Sequence, residues 1–115
     1  MRRGDIYLVD YEPARGSEAN KARPAVIVSN DGANEVADRT RRGVVTAVPL
    51  TTNVSRVYPF QVLLSAEECG LPKDSKVQCE QVRSLAPERL LRFMGSIPRQ
   101  RMKEVDAALR RHLAL

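Results

Sequence analysis

The chain has 115 residues and a formal net charge of +5; this length suits one domain with its own hydrophobic core, and we take residues 1–115 as that domain. The sequence contains no long apolar run and no signal-like start, so we expect a cytoplasmic protein without membrane contact. Two cysteines and one histidine are too few for a disulfide scaffold or a metal cluster, and we predict neither a metal site nor a cofactor. The positive charge favours a polyanionic partner.

Arginine residues are concentrated in two windows that contain no acidic residue. The first lies between Asp38 and Glu67 and holds four arginines, and the second spans residues 89–103. Charge runs of this kind usually form solvated surface. If the two windows converge in the fold, however, they would form one basic groove suited to phosphate groups.

The N-terminal third is predicted to hold two strands joined by a long loop. Residues 5–12 form the first strand. Residues 13–22 are rich in turn formers and charges and have no periodicity; such a long link is typical of a functional lid or binding loop, although a mobile hairpin tip fits equally well. Residues 23–30 contain a run of β-branched residues and predict a fully buried strand.

Arg23 stands at the start of this buried strand. Pro24 disfavours helical backbone angles at the preceding residue, so Arg23 is expected to be extended. A guanidinium group is costly to bury without a partner, and we therefore expect Arg23 to face a cleft or an anionic ligand. The alternative is an ordinary surface arginine.

The middle of the chain continues with a short helix and a third strand. Residues 31–38 are predicted to form one or two helical turns, and residues 44–52 a strand in which Pro49 must lie at an edge or a bulge, because proline donates no ladder hydrogen bond. A bulge beside Thr51 and Thr52 would re-aim their hydroxyl groups, an arrangement that is common beside active sites.

Two further strands are predicted in the second half. Residues 58–65 form the fourth strand, with Phe60 in the core rather than at a base-stacking surface. Residues 76–85 form the fifth, and period-two alternation predicts one shared face for five of its residues: Val77, Cys79, Gln81, Arg83 and Leu85.

The chain ends with a brief strand near residues 92–97 and an amphipathic helix over residues 98–113, whose apolar residues recur at helical spacing. The predicted fold class is therefore mainly β with α: a small, barrel-like domain with a short helix and a C-terminal helix.

With these segments in place, the chain resembles the MazF/PemK family of toxin endoribonucleases from bacterial toxin–antitoxin pairs. Each matching segment alone is weakly specific, but their order and intervals together are highly specific. The matching segments are Arg3-Gly4-Asp5-Ile6-Tyr7 with Asp10 and Pro13, Gly16-Ser17-Glu18, Arg23-Pro24-Ala25-Val26-Ile27-Val28-Ser29, Pro49-Leu50-Thr51-Thr52-Asn53, Tyr58-Pro59-Phe60 and Glu80-Gln81-Val82-Arg83-Ser84-Leu85.

The resemblance implies an SH3-like small barrel of the PemK/CcdB type that forms a homodimer. It implies sequence-specific, metal-independent cleavage of single-stranded RNA by attack of the RNA's own 2′-hydroxyl, with inhibition of translation and growth. It also implies a MazE-like antitoxin whose acidic, flexible tail occupies the RNA groove and displaces the loop over residues 15–22.

Four residues acquire catalytic roles through this resemblance. Arg23 matches an arginine proposed in relatives as an acid or a transition-state stabiliser, and Thr51 matches a threonine that binds the reacting phosphate. Glu18 matches an acidic loop residue implicated in activity, and Glu80 stands where another branch places its proposed base.

Two departures from that branch leave the base unassigned between Glu80, Glu18 and solvent. Ser17 stands in place of its loop histidine, and Gln78 in place of its strand arginine. We predict that RNA contacts come from a further set of polar and basic residues: Gln81, Thr52, Asn53, Ser29, Asn30, Arg83, Arg15 and Lys21. Without the resemblance, a structural hydrogen bond for Gln81 and an ion pair for Arg83 are the alternatives.

Two other functions compete with RNA cleavage. One is a non-catalytic toxin of the CcdB type that poisons DNA gyrase, but such proteins lack the Arg-Pro pair at the strand start and end in a Trp-containing tail, whereas this chain has no tryptophan. The other is a plain RNA-binding module, for which Arg23 would have no catalytic role.

Overall fold

A computed structural model describes all 115 residues, Met1–Leu115. The strands are β1 (Asp5–Asp10), β2 (Ala22–Ile27), β3 (Val45–Thr51), β4 (Gln61–Leu64), β5 (Ser75–Gln78), β6 (Arg83–Leu85) and β7 (Leu90–Ser96). The α-helices are α1 (Asp31–Thr40), α2 (Ala66–Cys69) and α3 (Arg99–Leu113), and two 3₁₀ turns cover Cys79–Gln81 and Pro87–Arg89. No helix has the length and apolar character needed to cross a membrane.

The seven strands form one antiparallel sheet in the order β4-β5-β3-β2-β1-β7, and β6 pairs with β3 beside this path. The predicted mainly-β class is confirmed. The end strands β4 and β7 do not pair with each other, so the sheet is barrel-like but not closed. β2 and β3 lie at its centre, which places their ends on a rigid part of the molecule.

Both faces of this sheet are buried, which explains the apolar run of β2. Val26 belongs to a cluster of 14 buried residues that includes Val105 of α3; we call it the α3 cluster. Ala25 and Ile27 point to the opposite face and belong to a cluster of nine buried residues that includes Ala37 of α1; we call it the α1 cluster.

The predicted fifth strand over residues 76–85 is wrong as a single element. It is divided into β5 and β6 by the 3₁₀ turn Cys79–Gln81. The turn ends the period-two alternation, so the predicted common face does not exist. Val77 and Cys79 pack in the α3 cluster, whereas Leu85 packs in the α1 cluster.

Pro49 marks the point where β3 changes partners. On one side it pairs with Ala25 of β2. On the other side β3 pairs with β6 up to Ala47 and with β5 from Leu50, and Pro49 lies in the gap. Of the two predicted positions, an edge or a bulge, the edge is excluded because β3 is central. Pro49 lies instead at an interruption of the pairing, where its missing N–H group breaks no pairing with β5 or β6.

Phe60 precedes β4 and is only half-buried, so its predicted place in the core is wrong. Its ring stacks in parallel on the ring of Tyr58, with the centroids 5.4 Å apart. Tyr58 is 41% exposed, so this aromatic pair is open to solvent on one side.

Candidate nucleic-acid cleavage site

Arg23 and Thr51 line one open cleft of about 220 Å³ at the ends of β2 and β3. β2 and β3 are antiparallel, and Ala25 pairs with Pro49. Two residues further along this register, Arg23 lies opposite Thr51. Directly opposed residues of an antiparallel pair point to the same face, so both side chains project together. The other lining residues are Lys21, Ala22, Pro24, Leu50, Thr52 and Ser75.

The apolar face of the sheet therefore continues into a polar rim. Arg23 precedes Ala25 by two residues and Arg83 precedes Leu85 by two residues, and both apolar residues belong to the α1 cluster. Thr51 follows another member of that cluster by four residues on β3. Alternation along each strand thus brings two arginines and a hydroxyl to one side of the sheet.

The Arg23 guanidinium is oriented by Asn20, one turn of loop away. Its Nε donates to the Asn20 carbonyl oxygen and its Nη2 donates to Asn20 Oδ1, both at 2.8 Å. Arg23 forms no ion pair with a carboxylate. A guanidinium has five N–H donors, so the remaining ones are free to meet an anion in the cleft.

Thr51 Oγ1 accepts a hydrogen bond from the backbone N–H of Asn53 at 3.3 Å, which leaves the hydroxyl proton available as a donor. The Asn53 side chain in turn accepts from the backbone N–H and the hydroxyl of Ser55. An RNA contact through Asn53 Oδ1 would therefore compete with the two hydrogen bonds that this oxygen accepts from Ser55. Thr52 and Lys21 lie in the cleft, as their predicted roles require.

Four other predicted residues gather in a second cavity of about 260 Å³: Glu18, Glu80, Gln81 and Arg83. Gln81 joins this cavity to the long loop, because its Nε2 donates to the Ser17 carbonyl oxygen at 2.9 Å and its Oε1 accepts from the Ala19 N–H at 3.1 Å. The nitrogen and the oxygen of the Gln81 side-chain amide thus both hold the loop in place.

Glu18 stabilises a turn inside that loop. Its Oε1 accepts from the backbone N–H of Arg15 at 2.6 Å, and the backbone N–H of Glu18 donates to the Arg15 carbonyl oxygen at 3.0 Å. The Arg15 side chain is exposed. Neither residue lines the cleft of Arg23 and Thr51, so a catalytic role for Glu18 requires the loop to move.

Glu80 has a partner that the sequence did not indicate. The Nε2 of Gln61, at the start of β4, donates to Glu80 Oε2 at 2.7 Å, while Oε1 of Gln61 accepts from the backbone N–H of Tyr58. Glu80 Oε1 is buried and has no hydrogen-bond partner. One oxygen of this carboxylate is therefore an unused acceptor, which suits either a base or a group that accepts from a nucleobase.

The aromatic pair of Tyr58 and Phe60 lies beside the cleft. Lys76 pairs with Thr51 across β5 and β3, and its Nζ lies 5.7 Å from the Tyr58 ring centroid. The Arg56 guanidinium lies 5.5 Å from the same centroid. Cations around a stacked aromatic pair form a surface of the kind that binds single-stranded nucleic acids.

Ser29 and Asn30 lie at the other end of β2 and have structural partners. Asn30 Oδ1 caps α1 by accepting from the Ala33 N–H, and the Ser29 hydroxyl bonds the buried side chain of Asn34 and accepts from the Thr46 N–H. Neither lines the cleft. The geometry therefore gives no support to the RNA contacts predicted for these two residues, and it assigns them to holding α1 on the sheet.

The two arginine-rich windows do not converge into one groove. Arg41 donates to the Pro87 carbonyl oxygen, and Arg101 forms ion pairs with Glu68 and Glu104 beside α3. None of these residues lines the cleft of Arg23. The expected single basic groove is wrong because the second window is folded partly into α3, on the opposite side of the sheet.

The fold and the cleft together define a small β-sheet protein with a cationic, hydroxyl-lined site at the ends of two central strands. The chain matches the family described as PemK-like, MazF-like toxin of type II toxin-antitoxin system over residues 2–113, and it belongs to this family.

Similar proteins support this family assignment, and the similarity extends over nearly their full length. The chain is 58% identical over 115 residues to Endoribonuclease MazF9 of Mycobacterium tuberculosis (strain ATCC 25618 / H37Rv), covering 100% of this chain and 98% of that protein. Among solved structures, MazF (Form-I) from Deinococcus radiodurans has a TM-score of 0.83 at 26% identity and is covered to 97%. An endoribonuclease in complex with its cognate antitoxin, from a mycobacterial species, has a TM-score of 0.78 at 26% identity and is covered to 96%.

Proposed function

We propose that this protein is the endoribonuclease toxin of a type II toxin–antitoxin pair and that it cleaves single-stranded RNA through the RNA's own 2′-hydroxyl. The observation that carries this proposal is the placement of Arg23, with unpaired N–H donors, opposite the Thr51 hydroxyl in an open cleft. Family membership and the name of the 58% identical relative support the same activity.

The chemistry needs no nucleophile from the protein. The ribose 2′-oxygen attacks the adjacent phosphorus and loses its proton, a pentacoordinate phosphorane with added negative charge forms, and the bond to the 5′-oxygen breaks as that oxygen gains a proton. The products are a 2′,3′-cyclic phosphate and a 5′-hydroxyl end. The protein must hold the phosphate in line and stabilise the added charge.

Arg23 fits the charge-stabilising role. Its planar fork matches two phosphate oxygens, and an arginine keeps its charge in proteins, so it is better suited to stabilise the transition state than to transfer a proton. Thr51 would donate its hydroxyl proton to a phosphate oxygen. The base is Glu80, Glu18 or a solvent molecule. Glu80 has one buried oxygen without a hydrogen-bond partner, and Glu18 lies in the long loop between β1 and β2.

RNA on either side of the cut would lie along the cleft and the aromatic pair. Thr52 and Lys21 line the cleft that would hold the reacting phosphate, Asn53 follows Thr52 in the chain, and the stacked rings of Tyr58 and Phe60 offer a surface for a base. The sequence motif at which the RNA is cut depends on these contacts. Mapping the 5′ ends of cellular RNA cut by the purified protein would identify it.

The activity is tested with one single-stranded RNA and an all-DNA oligonucleotide of the same sequence, incubated with the protein in chelator. We expect cleavage of the RNA alone, with cyclic phosphate ends. Cleavage of the DNA, or cleavage only after magnesium is added, would contradict the proposal. Gyrase supercoiling in the same preparation should be unaffected, since no observation supports the CcdB-type alternative.

We also propose a MazE-like antitoxin and a homodimer in the cytoplasm. A solved structure with a TM-score of 0.78 contains the cognate antitoxin of that endoribonuclease, which supports a similar partner for this chain. An acidic antitoxin segment would compete with RNA for the cationic cleft. Failure of the neighbouring gene product to suppress cleavage, or a stable monomer in light scattering, would contradict these two proposals.

A further inference from the structure

Tyr11 is a buried residue whose hydroxyl group has no hydrogen-bond partner. It follows β1 directly, its side chain is completely buried in the α1 cluster, and its backbone N–H donates to the Lys21 carbonyl oxygen. A buried hydroxyl without a partner destabilises the folded state, and phenylalanine would fill the same space without this cost. The structure gives the hydroxyl group no partner, and the contact that matters here is made by the aromatic ring.

Arg83 lies directly over this tyrosine. Its guanidinium carbon is 5.7 Å from the Tyr11 ring centroid, within the range of a cation–π contact. Arg83 forms no ion pair and no side-chain hydrogen bond with the protein. It is half-buried and lines the second cavity, so a charged group with five free donors is held there by an aromatic ring alone.

Tyr11 also lies close to the first arginine of the site. Burial raises the pKa of the Tyr11 hydroxyl, and the charges of Arg83 and then Arg23 lower it in part. Arg83 lies over the Tyr11 ring, and the Tyr11 backbone bonds Lys21, two residues before Arg23. Arg23 opens into the cleft and Arg83 into the cavity, and both stand on the sheet face that carries the α1 cluster.

From these contacts we infer that Arg83, carried by the ring of Tyr11, forms a second phosphate subsite for the RNA strand whose reacting phosphate is bound by Arg23 and Thr51. The ligand is a flanking phosphodiester of the same strand. A half-buried arginine without a carboxylate partner is suited to such an anion, because the guanidinium fork matches two phosphate oxygens. Tyr11 is a positioning residue in this arrangement, since it acts through Arg83.

This inference rests on the proposed function for its ligand, so its test uses binding as well as cleavage. The probe is a short single-stranded RNA made uncleavable by one 2′-deoxy residue at the cut position. A neutral methylphosphonate replaces one linkage at a time, and the Kd of each RNA is measured by fluorescence anisotropy for the wild type and for Arg83→Met. The exposed Arg92, on β7, provides the matched control Arg92→Met.

In the wild type we expect methylphosphonate at one flanking linkage to raise the Kd about tenfold, the size of a lost charge-assisted hydrogen bond. In Arg83→Met the same replacement should have no further effect, because the charge that meets this phosphate is already gone. Arg92→Met should retain the full tenfold effect. With cleavable RNA, Arg83→Met should raise KM about tenfold and change kcat less than twofold, as expected for uniform binding.

Tyr11 is tested by two substitutions. Tyr11→Phe keeps the ring and should retain the tenfold methylphosphonate effect, whereas Tyr11→Leu should lose it as Arg83→Met does. If Tyr11→Leu does not fold, the comparison of wild type with Arg83→Met still decides the subsite. Equal methylphosphonate effects in wild type and Arg83→Met at every linkage would overturn the inference. Absence of RNA cleavage by the wild type, with the binding effect intact, would instead overturn the proposed function.

Discussion

Arg23 on β2 and Thr51 at the end of β3 stand opposite each other across the mouth of one cleft, in the register that pairs Ala25 with Pro49. Both residues belong to central strands whose apolar residues are buried on both faces of the sheet. The Arg23 guanidinium and the Thr51 hydroxyl are thus held on rigid strands rather than on a loop. Preorganised donors of this kind are what a reaction with developing charge on a phosphate requires.

Replacement of Arg23 should remove most of the activity without unfolding the protein. Arg23→Ala is expected to lower the single-turnover cleavage rate by at least about 10²-fold, the cost of losing one preorganised donor to a transition-state charge. Arg23→Lys should recover only part of the rate, because an ammonium cannot form two parallel bonds. Thermal unfolding should change little, since Arg23 bonds only Asn20; wild-type cleavage by Arg23→Ala would contradict this role.

Two substitutions of Thr51 distinguish the contribution of its hydroxyl group to the cleavage rate from that of its branched shape. Thr51→Val keeps the branched shape and should slow cleavage about 10- to 100-fold, because a hydrogen bond to a charged group is lost. Thr51→Ser keeps the hydroxyl and should remain within a few-fold of wild type. The measurement is the single-turnover rate of both variants on one RNA, and equal rates for Val and Ser would remove Thr51 from the chemistry.

Gln81 should control the mobility of the long loop. Gln81→Leu removes the bonds to Ser17 and Ala19, and we expect faster amide hydrogen exchange at Ala19 with a loss of about 1–2 kcal/mol in stability. Gln78, nearby on β5, forms no side-chain hydrogen bond with the loop, so Gln78→Leu is the matched control. Unchanged exchange at Ala19 in Gln81→Leu would show that the loop is held by other contacts.

Burial, and to a smaller extent the Glu80 charge, raises the pKa of the Cys79 thiol to about 12 from its usual 9.0. Below pH 9 both the folded and the unfolded states hold the thiol proton, and the stabilising contribution is fully present. Between pH 9 and about 12 only the unfolded state loses the proton, so the free energy of unfolding falls as the pH rises.

Chemical denaturation of the wild type and Cys79→Ala at pH 8.5 to 10.5 isolates this contribution. The stability difference between the two should shrink as the pH rises, because the alanine variant has no thiol to ionise. Thiol reagents should label the native wild type very slowly at neutral pH. Rapid labelling, or a difference that does not depend on pH, would contradict the buried neutral thiol.

The strand positions of Arg23 and Thr51 are predictable from the sequence because their signals are local, whereas their catalytic roles come from the family resemblance and remain predictions. The proline and the apolar run that follow Arg23 place it at the start of a buried strand, and the β-branched run before Thr51 places that residue at the end of another. Both depend only on residues within a few positions along the chain. The same reasoning failed for the fifth strand, since β5 and β6 pair with different parts of β3 and the turn at Cys79–Gln81 lies between them.

The contacts that support the site join residues far apart in the chain, and no local sequence pattern predicts them. Gln61 reaches Glu80 from 19 positions away, and Arg83 lies over Tyr11, more than 70 positions distant. Ser29 and Asn30 resemble possible polar contacts in the sequence, but they are engaged by α1 in the fold. A sequence pattern shows which side chains are present at a strand or a loop. The hydrogen-bond partner of each side chain depends on which strands and helices pack together in the fold.

The most direct test of the proposed chemistry is the cleavage of an RNA with a single 2′-deoxy residue at the mapped cut position, in chelator. The proposed mechanism predicts that this RNA binds the protein as tightly as the unmodified RNA and is not cut at that position, while neighbouring motifs in the same strand are still cut. Cleavage at the deoxy position at the normal rate would mean that the nucleophile is not the ribose hydroxyl, and the roles assigned to Arg23 and Thr51 would be wrong.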